Sequence, residues 1–248
     1  MKISFLTSVM NRTHHLKKTY LQNIQCCVNT DAKCQLEFIL LNFNSSDDID
    51  DYIKSNNDFN EYDINFRCIR NSSAKYFDMS RTKNILGKYA TGDILCWIDA
   101  DNFIYDNFVN FIHTSFSDNN EIIMSVAYSQ YTSGMCGRVV CTKSHFQKIG
   151  GYDESMKGWG YEEIDFTTRS VKCGVSNINI PTKYMGKLNH TDDERLKNYE
   201  PLLKYKLPAS HSHHQMKFKS NYENFRLSSS NIKKNILIAN KDSNWGLL

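Results

Sequence analysis

The chain has 248 residues, 40% of them hydrophobic, which is enough for one sizeable α/β domain with a modest extension. A formal charge of +3, spread along the chain, marks no nucleic-acid partner. No stretch approaches the roughly 20 apolar residues of a membrane span, and the start, MKISFLTSVMNR, has neither the long apolar region nor the cleavage site of a signal peptide.

The eight cysteines form no CxxC pair, so buried free thiols in a reducing compartment are expected. Ile3 to Val9 reads as a buried strand. Thr13 is then the expected N-cap of a helix, because Leu16, Tyr20, Ile24, Cys27 and Val28 recur at helical spacing. Leu36 to Phe43 is a second strand, which breaks into the turn Asn44-Ser45-Ser46-Asp47-Asp48 and a short helix through Lys54. Phe66 to Ile69 is a third strand, and Ser80 to Ala90 a helix stopped by Gly92.

Asp93 to Ile98 (DILCWI) forms a strand that delivers Asp99-Ala100-Asp101 at its carboxyl end. A helix is expected around Phe103 to Phe116, followed by strands at Ile122 to Tyr128 and Gly137 to Val140, and a helix at Asp165 to Cys173 stopped by Gly174. This alternation predicts a mainly parallel sheet with helices on both faces, whose ligands bind beyond the carboxyl ends of the strands. Both the Asn44–Asp48 turn and Asp99-Ala100-Asp101 fall at such ends. Asp192 to Tyr205 reads as a charged helix. Residues 194–248 form an extension that wraps the domain or is partly disordered, with a polar His-rich tract at His211, His213 and His214.

Two motifs carry chemistry. Paired carboxylates one residue apart at a strand end can share a hard divalent cation, which in turn steadies charge on a leaving phosphate. Such triplets arise often by chance, and a plain turn explains many of them. Gly158-Trp159-Gly160-Tyr161-Glu162-Glu163 is more specific. Its glycines allow tight turns around a Trp that can face a sugar ring, and one of its carboxylates can act as general base toward a hydroxyl. Acidic residues in a first helical turn also favour the helix dipole, but that does not account for a Trp between two glycines.

The segment GRVVCTKSHFQKIGGYDESMKGWGYEEIDFTTR (Gly137 to Arg169) resembles the catalytic segment of the β-galactosyltransferases, and is similar to that of the polypeptide N-acetylgalactosaminyltransferases. ISFLTSVMNR through WIDADN resembles the nucleotide-sugar-binding half of family 2-like GT-A glycosyltransferases. The resemblance covers Ile3 to Asp193 and implies a GT-A, Rossmann-like catalytic domain over residues 1–193. It implies donor contacts from Thr7, Asn11, Arg12, Asn44, Ser45 and Asp47 (or Asp48), with Asn42 standing where the family often has Asp. Arg81 and Asn84 match its basic and amide side chains near the donor.

In the same resemblance Asp101 takes the place of the metal-ligating carboxylate, Asp99 lies toward the ribose and shares the cation, and His190 completes the metal site. A carboxylate-and-imidazole set favours Mn²⁺, with Mg²⁺ the alternative. Glu163 stands where the family has its catalytic Asp. Glu162 stands for the preceding Glu, which with Trp159, Gly160 and Tyr161 faces acceptor or sugar hydroxyls, and which of the two glutamates takes the proton stays open. The implied reaction moves galactose, glucose or an N-acetylated counterpart from a UDP-sugar to a glycan, glycoprotein or glycolipid hydroxyl, with inversion. Nucleotidyl transfer to a sugar phosphate, or non-catalytic nucleotide-sugar binding, are the rival readings. A cytoplasmic enzyme of viral or bacterial origin is the matching expectation.

Overall fold

A computed structural model of the chain describes residues 1–55, 59, 62, 64–200, 213–242 and 244–248. The first strand, β1 (Lys2–Val9), is followed by α1 (Thr13–Val28), β2 (Gln35–Phe43), α2 (Ile49–Ser55) and β3 (Asn65–Asn71). Then come α3 (Met79–Tyr89), β4 (Ile94–Trp97), the short β5 (Asn102–Ile104), α4 (Phe108–Asp118) and β6 (Ile122–Ser125). β7 (Val139–Thr142) leads straight into α5 (Lys143–Lys148), and α6 (Glu162–Lys172), β8 (Ser176–Asn179), β9 (Met185–Lys187), α7 (Asp192–Leu196) and α8 (His213–Lys233) complete the order.

Seven strands form one sheet in the order β3-β2-β1-β4-β7-β6-β8. β1, β2, β3 and β4 pair in parallel, and β7 is the antiparallel member, between β4 and β6. The mainly parallel sheet flanked by helices therefore stands as expected. Side chains alternate across it with the period of two that strands impose. Ile3, Phe5, Phe38, Leu40 and Cys96 face α1 and α4 through Leu16, Tyr20, Ile112 and Phe116. Leu6, Ile39, Leu41, Leu95, Trp97 and Cys141 face α3, α5 and α6 through Ile85, Leu86, Phe146 and Phe166.

Three expectations change. Thr13 is not a cap, since the residue before α1 is Arg12 and its side chain makes no capping hydrogen bond to the helix. The Thr13 amide is instead satisfied from across the β2–α2 turn by Asp47 Oδ2 at 2.9 Å, so a distant carboxylate does the capping. The apolar run from Phe103 begins as a strand, because Phe103 and Ile104 pair with Gly186 and Met185 of β9 before α4 starts. Lastly, the polar stretch from residue 213 is helical. Its buried stripe is Ser220, Asn224 and Ser228, spaced four apart, so an apolar periodicity misses it. His211 lies outside the described residues, as do the side chains of His213 and His214 and the Pro201–Tyr205 end of the expected charged helix; the described part, α7, spans Asp192–Leu196.

Candidate active site

The carboxyl ends of β1 and β4 open into a cavity of about 640 Å³. Ser8, Met10 and Arg12 line it from the β1 end, Asp99 and Asp101 from the β4 end, and Trp159 to Glu163 from the start of α6. His190, Arg195 and Tyr199 close it from the α7 side, and Lys217 and Asn221 from α8.

Asp101 and His190 are 89 residues apart, and the β5–β9 ribbon brings them together. Asn102 is in register with Lys187, and Leu188 N–H donates to the Asp101 carbonyl at 2.8 Å. The next turn of chain sets His190 Nε2 2.5 Å from Asp101 Oδ2. Asn102 Nδ2 donates to the other oxygen, Oδ1, at 2.9 Å and so fixes the carboxylate plane. Burial pushes the Asp101 carboxyl up, but the His190 hydrogen bond and the charges of His190, Arg12 and His15 outweigh it and hold it below the usual range.

Asp99 differs. Burial is the main cause of a rise to about 6, opposed by Lys83 and reinforced by Asp101 and Glu163. Its carboxylate occupies the space that a side chain at Gly137 would fill, since a Cβ there would overlap Asp99 Oδ2. Gly137, expected only as strand, is thus part of the site.

The Gly158–Glu163 loop reaches the cavity through backbone that L-residues rarely adopt. Gly158 has φ 76°, Gly160 φ 97° and Tyr161 φ 76°. A Cβ on Gly160 would meet Asn221 Oδ1 at 2.6 Å. α8 is the template for this loop: Ser220 Oγ accepts from Trp159 N–H at 3.1 Å and donates to the Trp159 carbonyl at 2.8 Å. Asn224 Nδ2 donates to the Gly160 carbonyl at 2.8 Å and the Lys157 carbonyl at 3.1 Å. The Trp159 ring has cations on its faces, with Lys217 Nζ 4.5 Å and Arg195 Cζ 5.7 Å from its centroid.

Glu162 and Glu163 open α6 in different environments. Glu163 forms an ion pair with Lys83, whose Nζ lies 5.1 Å over the Tyr152 ring. Lys83 is buried in α3, where burial alone would lower its pKa; Glu163, Asp99 and Glu162 reverse that and raise it. Glu162 is buried, and burial, with the neighbouring Glu163 charge, pushes its carboxyl well above the usual range. Sequence reasoning missed Lys83, although a lysine three residues before Leu86 lies on the inward face of that helix, where a buried cation needs carboxylate partners.

Several expected donor residues lie off the cavity wall. Thr7 is buried within β1. Asn11 and Asn44 take the left-handed conformation, φ 54° and 58°, in loops that bind each other: Asn11 N–H donates to Ser45 Oγ at 3.0 Å, and Asn44 Nδ2 to the Ala74 carbonyl at 2.8 Å. Ser45 N–H donates to Asn42 Oδ1 at 2.8 Å, and Asp47 caps α1. Arg81 donates to the Leu247 carbonyl at 3.3 Å, and Asn84 is buried against Tyr152 and Glu154. Of the donor set, the cavity gathers Arg12 and Asp99; Asn11, Asn44, Ser45 and Asp47 hold the loops after β1 and β2, and Thr7, Arg81 and Asn84 lie within β1 and α3.

A parallel sheet with one antiparallel insertion, a carboxylate pair at the central strand end and helices on both faces together make this a GT-A fold. Residues 121–194, from β6 through α7, match the family model described as the N-terminal domain of galactosyltransferase. A 50-residue stretch is 36% identical to a probable N-acetylgalactosaminyltransferase 9 of Caenorhabditis elegans, covering 20% of this chain and 9% of that protein. Among solved structures, S. aureus TarS 1-349 in complex with UDP is similar at 13% identity and TM-score 0.56, over 93% of this chain and 72% of that one. The longer S. aureus TarS chain is similar at TM-score 0.61 and 12% identity over 94% of this chain, which spans 40% of its length. The mannosyltransferase PcManGT of Pyrobaculum calidifontis, in complex with GDP-Man and Mn²⁺, is similar at 11% identity and TM-score 0.61, over 96% of this chain and 76% of that one. No helix among the described residues is long and apolar enough to cross a membrane.

Proposed function

We propose that the chain transfers a hexose or N-acetylhexosamine from a UDP-sugar to an acceptor hydroxyl on a glycan, glycoprotein or glycolipid, with inversion. The observation that carries this reading is the convergence in one cavity of Asp99, Asp101 and His190 with Glu162 and Glu163, from three separate parts of the chain. The neighbours in complex with UDP and with GDP-Man and Mn²⁺ support it.

The donor atoms suit a cation. Asp101 Oδ2 and His190 Nε2 set a carboxylate oxygen beside an imidazole nitrogen at the cavity wall, and Asp99 lines the same cavity further off, outside ligand distance of that pair as they stand. That mixed set fits Mn²⁺, with Mg²⁺ the harder alternative. Bound there, the cation would neutralise charge on the departing diphosphate. Asp99 reaches toward the ribose side, and Arg12 offers a positive charge to the nucleotide. Glu163 takes the acceptor proton, and its ion pair with Lys83 through Oε1 holds the carboxylate in place. Glu162, whose carboxyl burial and the Glu163 charge push well above the usual range, is the member of the pair suited to donate a hydrogen bond.

Incubation with a panel of UDP- and GDP-sugars, measuring nucleotide diphosphate release with and without chelator, tests the assignment. Asp101→Ala should lose the chelator-sensitive turnover. Glu163→Gln should bind donor normally and lose transfer by roughly 10²-fold or more, the scale of a general base, with Glu162→Gln milder. Nucleotide binding without release would make the chain a binder, pyrophosphate release would make it a nucleotidyltransferase, and full transfer by Glu163→Gln would remove that residue as the base.

A further inference from the structure

Beside the Asp101–His190 pair lies a second group of metal-ligand side chains. His14 Nε2 lies 2.8 Å and His15 Nε2 3.0 Å from the same oxygen, Oε1 of Glu194. Among the described residues these three form the one cluster whose ligand atoms all fall within 4.8 Å of each other. Both imidazoles crowd a single carboxylate oxygen, with their ring centroids 4.2 Å apart, and the His15 ring lies 5.3 Å from that of His190. Protonating both rings would place two like charges in contact, whereas one cation between three lone pairs satisfies all of them. Tetrahedral Zn²⁺, with bonds of about 2.0–2.1 Å, needs ligand atoms about 3.4 Å apart, which a small adjustment of these side chains provides.

We propose that His14, His15 and Glu194 form a transition-metal site of the Zn²⁺ class, separate from the Asp101–His190 site. The chemistry selects the metal. Arg12 donates to the Glu194 backbone carbonyl at 2.5 Å, so a positive charge already stands nearby and a hard cation held by one carboxylate is disfavoured. Two imidazole nitrogens and one oxygen favour a borderline-soft ion, and with three protein ligands the fourth position stays open to water. His14 is the exposed member and provides the entry path, while His15 is buried. The site joins the first turn of α1 to α7, and the residues after Glu194 are cavity wall: Arg195, Asn198 and Tyr199. A bound ion therefore pins that wall to the body of the domain.

The test uses the full chain stripped of metal, titrated with Co²⁺ and dialysed separately against Zn²⁺. The unaltered chain and Asp101→Ala should both show the intense visible absorption of four-coordinate Co²⁺ and bind Zn²⁺ with equal affinity. His14→Ala and Glu194→Gln should lose that band and weaken Zn²⁺ by more than the roughly 10–100-fold that loss of an outer partner costs. Zn²⁺ should slow hydrogen exchange over residues 191–199 in the unaltered chain and not in His14→Ala. Absence of the band from the unaltered chain, or its persistence in both His14→Ala and Glu194→Gln, overturns the proposal. Its loss in Asp101→Ala alone also does so, because the band would then belong to the Asp101 site. None of these readouts depends on sugar transfer, so they fail or stand apart from the proposed reaction.

Discussion

Asp99 shows how a fold can hold a single side chain in an unfavourable state. It is half-buried among carboxylates, with Lys83 and Arg138 as the opposing charges, and loss of solvent raises its pKa to about 6 against 3.8 for an ordinary aspartate. Between those values the folded chain binds more protons than the unfolded chain, so stability falls as pH rises through that window and stays lower above it. Asp99→Asn removes the penalty. In chelator at pH 7.5 it should melt higher than the unaltered chain, by up to about 3 kcal/mol, while nucleotide release falls. At pH 4 the two chains should melt alike. An unchanged melting point at pH 7.5 would show that Lys83 fully neutralises the site. The residue itself was legible from its place at the end of DILCWI. Gly137, which gives it room, was not, because a close approach of two distant segments leaves no mark on local spacing.

At the scale of elements, α6 is anchored by a buried ion pair. Arg169 Nε donates to Asp165 Oδ2 at 2.7 Å, one helical turn back, with both side chains almost fully buried. Its other nitrogens donate to the Ile149 and Gly151 carbonyls at 3.1 and 2.8 Å, tying the helix to the chain just after α5. Arg169→Met leaves Asp165 buried without its cation and the Gly151 carbonyl without its Arg169 donor, while Ile149 keeps the Ala239 N–H; the change is on the order of 3–5 kcal/mol. A urea melt should show that loss, and Asp165→Asn/Arg169→Met together should recover part of it. No recovery in the double variant would mean that the carbonyl bonds, not the ion pair, dominate. The elements that were legible in sequence, β1, α1, β2 and β4, carry strong apolar periodicity on faces that bury carbon. β5 and α8 escaped because β5 is stabilised by pairing with β9, some eighty residues on, and α8 by polar side chains turned inward.

Across the whole molecule, the Gly158–Glu163 loop depends on a segment far from it in sequence. Trp159 lies between the left-handed Gly158 and Gly160, and α8 holds Trp159 and Gly160 through Ser220 and Asn224. The motif Gly158 to Glu163 stands out by its own residues and lines the cavity, but its conformation is set by a helix more than fifty residues later. Loss of both side chains leaves the Trp159 N–H and the Gly160 carbonyl unpaired, each costing about 1–3 kcal/mol if it stays buried. Ser220→Ala/Asn224→Ala should therefore free the loop more than it unfolds the domain, since the core clusters on the two sheet faces contain neither residue. The expected result is faster hydrogen exchange over residues 157–163 and a reduced rate of transfer, with Mn²⁺ affinity at Asp101 and His190 unchanged. Equal loosening of β1 and β4 would mean instead that α8 stabilises the entire sheet. A rigid loop with full turnover in the double variant would show that Glu162 and Glu163 are positioned by α6 alone.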